Sequence, residues 1–388
     1  MKHGWQAKRL SDVCEIIMGT SPPGETYNTT GEGVPLINGP VEFSRGSFGK
    51  TVRTKFTTAP NKLCKENDLI LCVRGSTTGK MNIAGFDACI GRGVAAIRAK
   101  EYQPWINHFI SSKTEDIFRL GTGATFPNIS TAALAGLTLH MPPLAEQRRI
   151  VGILDEAFEG LATAKANAEQ NLQNARALFE SHLQAVFTQR GHGWDTQPLL
   201  SLCSMFVDSA HRTPKYQDDG IPALRPRDVV NGKLNFDGAQ RVSEHEYEIQ
   251  SKRYKPRASD IVYSRELSYG WAAMLPKSPQ ICLSQGMCIF RPNGELDGNY
   301  LLYVLNSPVG REQAQRVAVG AAHPHINLSD IKAYQIPFPS LDVQKEITKR
   351  FDSLAAETQR LESLYQRKLA ALDELKKSLL HRAFSGQL

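Results

Sequence analysis

Hydrophobic positions along the chain fall into two regimes, and each regime occurs twice. Over 347–379, Ile347, Phe351, Leu354, Leu361, Tyr365, Leu372, Leu375 and Leu379 recur at spacings of three and four, interrupted by Thr358 and Lys368. Such spacing predicts a heptad seam along one face of a long helix. A central stretch carries the same seam in smaller side chains: Ile150, Leu154, Ala157, Leu161, Ala164, Ala168, Ala175 and Leu178. Gly160 is its weak point, and a stop is expected near Gly191. A helix of about 45 residues would be roughly 70 Å long. Ahead of each seam the pattern changes to short apolar or β-branched runs bounded by Gly, Pro, Asn and Asp. AspLeuIleLeu at 68–71 faces AspIleValTyr at 260–263, and CIGRGVAAIR at 89–98 faces CLSQGMCIFR at 282–291. These runs read as strands of an α+β domain, followed by helix-like segments at 105–120 and 299–317.

The alternation is a duplication. FPNISTAALAGLTLHMPPLAEQRRI (126–150) returns 197 residues later as HPHINLSDIKAYQIPFPSLDVQKEI (323–347) with no gap in register. Asp155, Ser181 and Phe187 match Asp352, Ser378 and Phe384 at the same offset, whereas Trp5, Leu10 and Cys14 match Trp194, Leu199 and Cys203 at 189. The modules between therefore carry insertions and are less alike. A period this long means two copies of a whole module, because solenoid units run to only about 20–50 residues. The chain divides into a module at 1–141, a helix at 142–190, a second module at 191–339 and a second helix at 340–388. An alanine-rich seam buries little by itself and a leucine-rich seam needs a cover. Their complementarity predicts an intramolecular antiparallel coiled coil with the two modules related by a pseudo-twofold axis. The seams alone are also compatible with an intermolecular coiled coil.

With 388 residues, 41% hydrophobic and 22% charged, the composition is that of a globular protein. The first residues, MKHGWQAKRL, lack the apolar core of a signal peptide, and no apolar run approaches a membrane span, so a cytoplasmic protein is expected. Seven scattered cysteines without a CxxC pair argue against a zinc site or a disulfide framework. Cys14 and Cys89, matched by Cys203 and Cys282, read as small core hydrophobes. The net charge of +7 permits nucleic acid without requiring it. No catalytic constellation is present. GSFGKT (46–51) is too short for a phosphate loop, MPPL (141–144) lacks the aromatic of an amino-methyltransferase tetrapeptide, and GTGA (121–124) is a glycine turn. His323 and His325 have no carboxylate or cysteine spaced to join them, so no metal is expected; loop histidines that differ between copies fit specificity better.

PPLAEQRRI and PSLDVQKEI, each opening a long helix, together with the terminal HRAFSGQL, resemble the specificity (S) subunit, HsdS, of type I restriction-modification systems. The resemblance covers the whole chain, with Val343 standing where the first copy has Glu146. It implies a noncatalytic DNA-recognition protein whose two target recognition domains each read one half of a split double-stranded site. It implies further that the coiled coil docks two modification (methyltransferase) subunits and, through them, restriction (motor-nuclease) subunits. S-adenosylmethionine, ATP and Mg²⁺ would be used by those partners, with no cofactor held by this chain. Differing modules predict an asymmetric target.

Each module then needs cations and backbone donors for phosphates and polar side chains for base edges. Candidates in the first are Arg45, Lys50, Arg53 and Lys55, with Arg74, Ser76, Thr77 and Lys80 from the turn RGSTTGK, which follows an apolar strand directly. In the second they are Arg212, Lys215, Arg225, Arg227, Lys252, Arg253, Lys255 and Arg265. Two other function classes remain: a coiled-coil adaptor that reads no sequence, and a DNA-modifying enzyme with its own active site.

Overall fold

A computed structural model describes residues 4–121, 127–277 and 280–388. Phe126 of the repeated stretch and 122–124 of GTGA lie outside the described residues. The chain forms two compact units, Met1–Ala168 with Arg367–Leu388, and Glu169–Gln366. Each unit thus combines one module with the start of one long helix and the end of the other.

In the first module the apolar runs form a four-stranded antiparallel sheet in the order Cys14–Met18, Val94–Ala99, Leu69–Cys72, Met81–Ile83. Side chains of a strand alternate between its faces. Leu69, Leu71, Ala95 and Ile97 therefore join a core with Trp105, Phe109 and the long helices, while Ile70, Cys72, Val94 and Ala96 join another with Ile37, Cys64 and Ile90. Both faces are covered, which explains runs such as LeuIleLeuCys with no polar position. The second module repeats this with Cys203–Asp208, Met287–Pro292, Ile261–Ser264 and Ala272–Met274. Ile261, Tyr263, Cys288 and Phe290 face the helices, and Val262, Met287 and Ile289 face Leu224 and Leu283. In both modules a parallel pair supports the far face: Val34–Ile37 beside Ala88–Ile90, and Ile221–Leu224 beside Cys282–Leu283. Burial pushes the Cys14, Cys64, Cys203 and Cys282 thiols up to about 12, as expected of core hydrophobes.

Two buried charges are repeated as well. Arg98 donates to both oxygens of Asp68 at 2.9 and 2.8 Å, and Arg291 to both of Asp260 at 2.6 and 2.8 Å. The carboxylates are buried and also accept backbone N–H groups from Lys65 and Arg257. The expected single helices each break in two, into Gln103–Ser112 and Thr114–Arg119, and into Gly298–Asn306 and Pro308–Val317. In the second, Ser307 caps the new helix by accepting from the Gly310 N–H, and Pro308 takes its first position.

The long helices are Leu144–Gln189 and Leu341–Phe384, 46 and 44 residues. The repeated Pro-to-Gln segment is their start signal: Gln147 and Gln344 are buried, and each donates from Nε2 to the carbonyl of Pro142 or Pro339 at 2.9 Å. Within the first unit, Ile150 and Leu154 share a core with Leu380 and Ala383, and Lys165 pairs with Asp373 at 2.9 Å. Within the second, Leu183 and Phe187 share a core with Ile347 and Phe351, and Arg176 pairs with Glu362 at 2.7 Å. In each unit numbers rise along one helix as they fall along the other, so the pairing is antiparallel.

Ile150, Leu154, Ala157, Leu161, Ala164, Ala168, Ile347, Phe351, Leu354, Leu361, Tyr365 and Leu372 are buried or half-buried. The seam departs from a strict heptad at one place in each helix. After Ala168 it steps four residues to Leu172, then to Ala175 and Phe179; after Tyr365 it steps to Leu369, Leu372 and Lys376. Two consecutive steps of four are a stutter, which locally unwinds the coil and shifts the buried face by one residue. Leu178 and Leu375, expected in the seam, are consequently 64% and 48% exposed. Lys368 is exposed because Leu369 takes its place, and Gly160 lies on the open face without breaking the helix.

Each module is seated on its helix by equivalent residues. Asp155 bonds His108 Nε2 at 2.8 Å, and Asp352, its repeat partner, accepts from the Tyr303 hydroxyl at 2.7 Å. Phe384 packs on Trp105 and Phe109, while Phe187 packs on Tyr300 and Phe351.

Candidate nucleic-acid interface

Three loops meet at one edge of each module, and four backbone hydrogen bonds fix their correspondence. The Val73 N–H donates to Gly93 O at 2.9 Å, as Arg265 does to Gly286 at 2.8 Å. Gly75 N donates to Pro127 O at 3.1 Å, as Leu267 does to Pro324 at 2.9 Å. Ile129 N reaches Val73 O at 2.9 Å, as Ile326 reaches Arg265 at 2.8 Å. Gly91 N reaches Ile37 O at 2.9 Å, as Ser284 reaches Leu224 at 2.9 Å. Position 73 is therefore 265, 74 is 266, 75 is 267 and 92 is 285.

This register relocates one candidate. Arg265 stands where the first module has buried Val73, and it is itself buried, its Nη1 donating to Ile326 O at 3.2 Å and its Nε 3.2 Å from Asp208 Oδ1. The residue in the place of Arg74 is Glu266. Arg225 is likewise turned inward: its backbone N–H and guanidinium both donate to Asp228, at 2.9, 3.0 and 3.1 Å, closing the short 3₁₀ turn Pro226–Asp228. A cation at these two positions is matched by an internal carboxylate and adds little to an outward field.

The remaining candidates lie on the surface. In the first module Arg45, Lys50, Arg53, Arg74, Ser76 and Lys80 are exposed, and Lys55 and Thr77 are half-buried. The loop carrying Arg45 is held by Asn82, which accepts from Ser44 N at 3.3 Å and donates to Gly46 O at 3.0 Å. Arg53 lies over the Phe86 ring at 4.7 Å, and Lys50 is 3.4 Å from Glu66. In the second module Arg212, Lys215, Arg227, Lys252, Arg253 and Lys255 are exposed. Arg212 pairs with Glu246 and Lys255 with Glu248, the latter also over the Tyr247 ring at 5.3 Å. A shallow cleft of about 400 Å³ brings Arg225 and Arg227 together with Tyr216, Glu266, Leu267 and Gln285.

Sequence reasoning passed over Arg92 and Gln285, both exposed at the tip of the turn between two core strands. The signal was available: they are the long polar side chains inside the aligned, largely apolar strings CIGRGV and CLSQGM. It also passed over Val41 and Leu267, aliphatic side chains left 77% and 59% exposed at the same edge. Leu267 has φ of +56°, in the left-handed region that Gly75 occupies at +81°. Among the described residues no group of three or more His, Cys, Asp or Glu is placed to hold a metal ion, and no helix is long and apolar enough to cross a membrane.

A family profile described as "Type I restriction modification DNA specificity domain" matches the chain twice, over residues 2–173 and 199–368. The specificity subunit of the Escherichia coli type I restriction enzyme EcoBI is 24% identical, covering 99% of this chain and 86% of that protein. A putative MjaX specificity subunit from Methanocaldococcus jannaschii is 33% identical over 177 residues, 44% of this chain and 40% of that protein. Among solved structures, a chain from a study of assembly and conformational transition of the type I R-M system matches with a TM-score of 0.82 at 19% identity, covering 100% of this chain and 99% of that one. The HsdS subunit from Thermoanaerobacter tengcongensis matches with a TM-score of 0.61 at 20% identity, covering 100% and 98%.

Proposed function

The chain belongs to the family of type I restriction-modification DNA specificity proteins, and from that premise we propose that it reads an asymmetric bipartite DNA target with one module per half-site. The observation that carries this reading is the contrast within the duplication: identical backbone hydrogen bonds in the two modules hold different side chains at the exposed edge. Surface cations such as Arg45, Lys50 and Lys80, with Lys215, Lys252 and Arg253, hold the phosphates and set register; polar tips reach the base edges in the major groove.

The paired helices carry the partners. Leu178 and Leu375 are repeat equivalents, both outward-facing, and offer two like hooks for two copies of one modification subunit. Restriction subunits join through those copies. The chain supplies recognition and no chemistry: S-adenosylmethionine, ATP and Mg²⁺ are used by the partners, and the complex works in a prokaryotic cytoplasm.

Competition binding of the assembled methyltransferase to three duplexes tests the reading. A duplex carrying two different half-sites at the native spacing binds tightest, and palindromes built from either half bind less well. Equal affinity for all three and for random sequence would return the chain to the adaptor class. Methylation by the purified chain alone would assign it an active site of its own.

A further inference from the structure

We infer that base identity is read by side chains at equivalent tips of the two modules: Arg74 and Arg92 in the first, Glu266, Leu267 and Gln285 in the second. The inference deepens the proposed function and rests on it. The backbone bonds that align the modules leave these tips free to differ without disturbing the frame. The turn 74–79 is closed by Gly75 N to Pro127 O and by the Thr78 hydroxyl to Gly75 O at 2.8 Å; its counterpart is closed by Leu267 N to Pro324 O. The tip at 92 or 285 is pinned on both sides, by the bonds at 91 and 93 or at 284 and 286. A backbone so fixed starts each side chain from one place and direction, which base reading requires.

The chemistry of the two sets is complementary to different bases. Arg74 and Arg92 are exposed, and among the described residues neither guanidinium has a carboxylate partner. Two such forks match the O6 and N7 acceptors of guanine. At the same positions the second module has a carboxylate, which accepts from the cytosine amino group, and an amide, which pairs with N6 and N7 of adenine. Glu266 is half-buried against Gly286, where a Cβ would lie 3.0 Å from its Oε2, and its Oε1 is 3.9 Å from Arg265 Nη2, so the glycine leaves room for the carboxylate and the arginine holds it beside the edge. The aliphatic contact also changes place. Val41 is exposed in the first module on the 3₁₀ turn that in the second carries Arg227, while the second module has Leu267 where the first has Gly75. A leucine held at positive φ and 59% exposed is an apolar side chain aimed outward, suited to a thymine methyl. The first half-site is therefore guanine-rich at the positions read by Arg74 and Arg92, and the second holds adenine and cytosine opposite Gln285 and Glu266.

The test is a map of methylated adenines in DNA from cells expressing the full chain with its modification partner. Arg92→Ala should relax the consensus at one position of one half-site, and Gln285→Ala at one position of the other, each with about a 10- to 100-fold loss of discrimination. Gln285→Arg should shift the preferred base at its position to guanine. A consensus unchanged in all three variants overturns the inference. So does a fall in methylation that is uniform across sequences, which would mark the side chains as phosphate contacts. If the unsubstituted complex yields no two-part consensus, the proposed function itself fails, a result distinct from either.

Discussion

The first module closes the turn after its central strand over Gly75 and the second closes the same turn over Leu267, with the same backbone donor and acceptor in both. Around that shared frame the first module exposes cations at positions 74 and 92, whereas the second has a half-buried carboxylate and an exposed amide there. Beneath it, the arginine–aspartate pair, the glutamine at the helix start and the aspartate about three turns into the long helix are the same in both. Duplication has kept what sets backbone position and released what faces outward. Charge shows the same division: 16 basic and 11 acidic residues over 1–141, against 16 and 15 over 191–339. The second module must rely more on the placement of its polar groups than on net attraction.

If the frames are equivalent, Asp68→Ala and Asp260→Ala should cost alike, about 2–3 kcal/mol each, since either removes the buried carboxylate that ties a partly exposed arginine to a backbone N–H, and Glu15, 2.8 Å from Arg98, is an exposed second partner. Urea unfolding of the two variants checks this, and a difference above about 2 kcal/mol would break the equivalence. The helix-start glutamines should separate the modules. Gln344 donates to Glu295 O at 3.1 Å and accepts from Asp297 N at 2.8 Å in addition to its bond to Pro339, whereas the buried Gln147 Oε1 has no partner among the described residues. Gln344→Ala is expected to lose about 2–3 kcal/mol and Gln147→Ala about 1, read from the same unfolding curves.

Acid should separate them too. Burial holds His108 below its usual value of 6.5; Asp155 offsets this in part and Lys376 reinforces it. Below about 6.5 the unfolded chain binds more protons than the folded one, so the first module's stability is complete above that pH and falls as pH drops through it. Burial and Asp352 push Tyr303 upward, so it stays neutral from pH 5 to 8. Hydrogen exchange, corrected for intrinsic rate, should show 103–112 losing protection between pH 7 and 5 while 298–306 does not. His108→Phe should remove the difference. The smallest effect on the chain itself is expected at the outward leucines. Leu178→Asp or Leu375→Asp should change stability by less than about 0.5 kcal/mol yet each remove one of two bound modification subunits, measured by mass in solution.

Much of this was legible in the sequence because duplication exposes constraint. The Pro-to-Gln helix starts, the aspartate-led strands and the two seams recur where packing fixes the residue, and they emerged as α+β modules on antiparallel helices. What escaped depended on geometry that spacing does not carry. The stutter after Tyr365 looked like a polar interruption at Lys368, because a shift of the buried face by one residue is visible only once the helices are paired. Arg265 looked like a surface cation because it follows an apolar strand, as Arg74 does, whereas its register with Val73 puts it in a buried position. Arg92 and Gln285 were hidden by the apolar strings around them.

The central claim is that one frame, used twice, carries two different readers. Mapping methylated adenines genome-wide for the unsubstituted chain with its modification partner tests it most directly. Two unlike half-sites separated by a fixed number of unread base pairs are expected, each with its own methylated adenine. A palindromic site, a single contiguous site, or methylation without a consensus would contradict it.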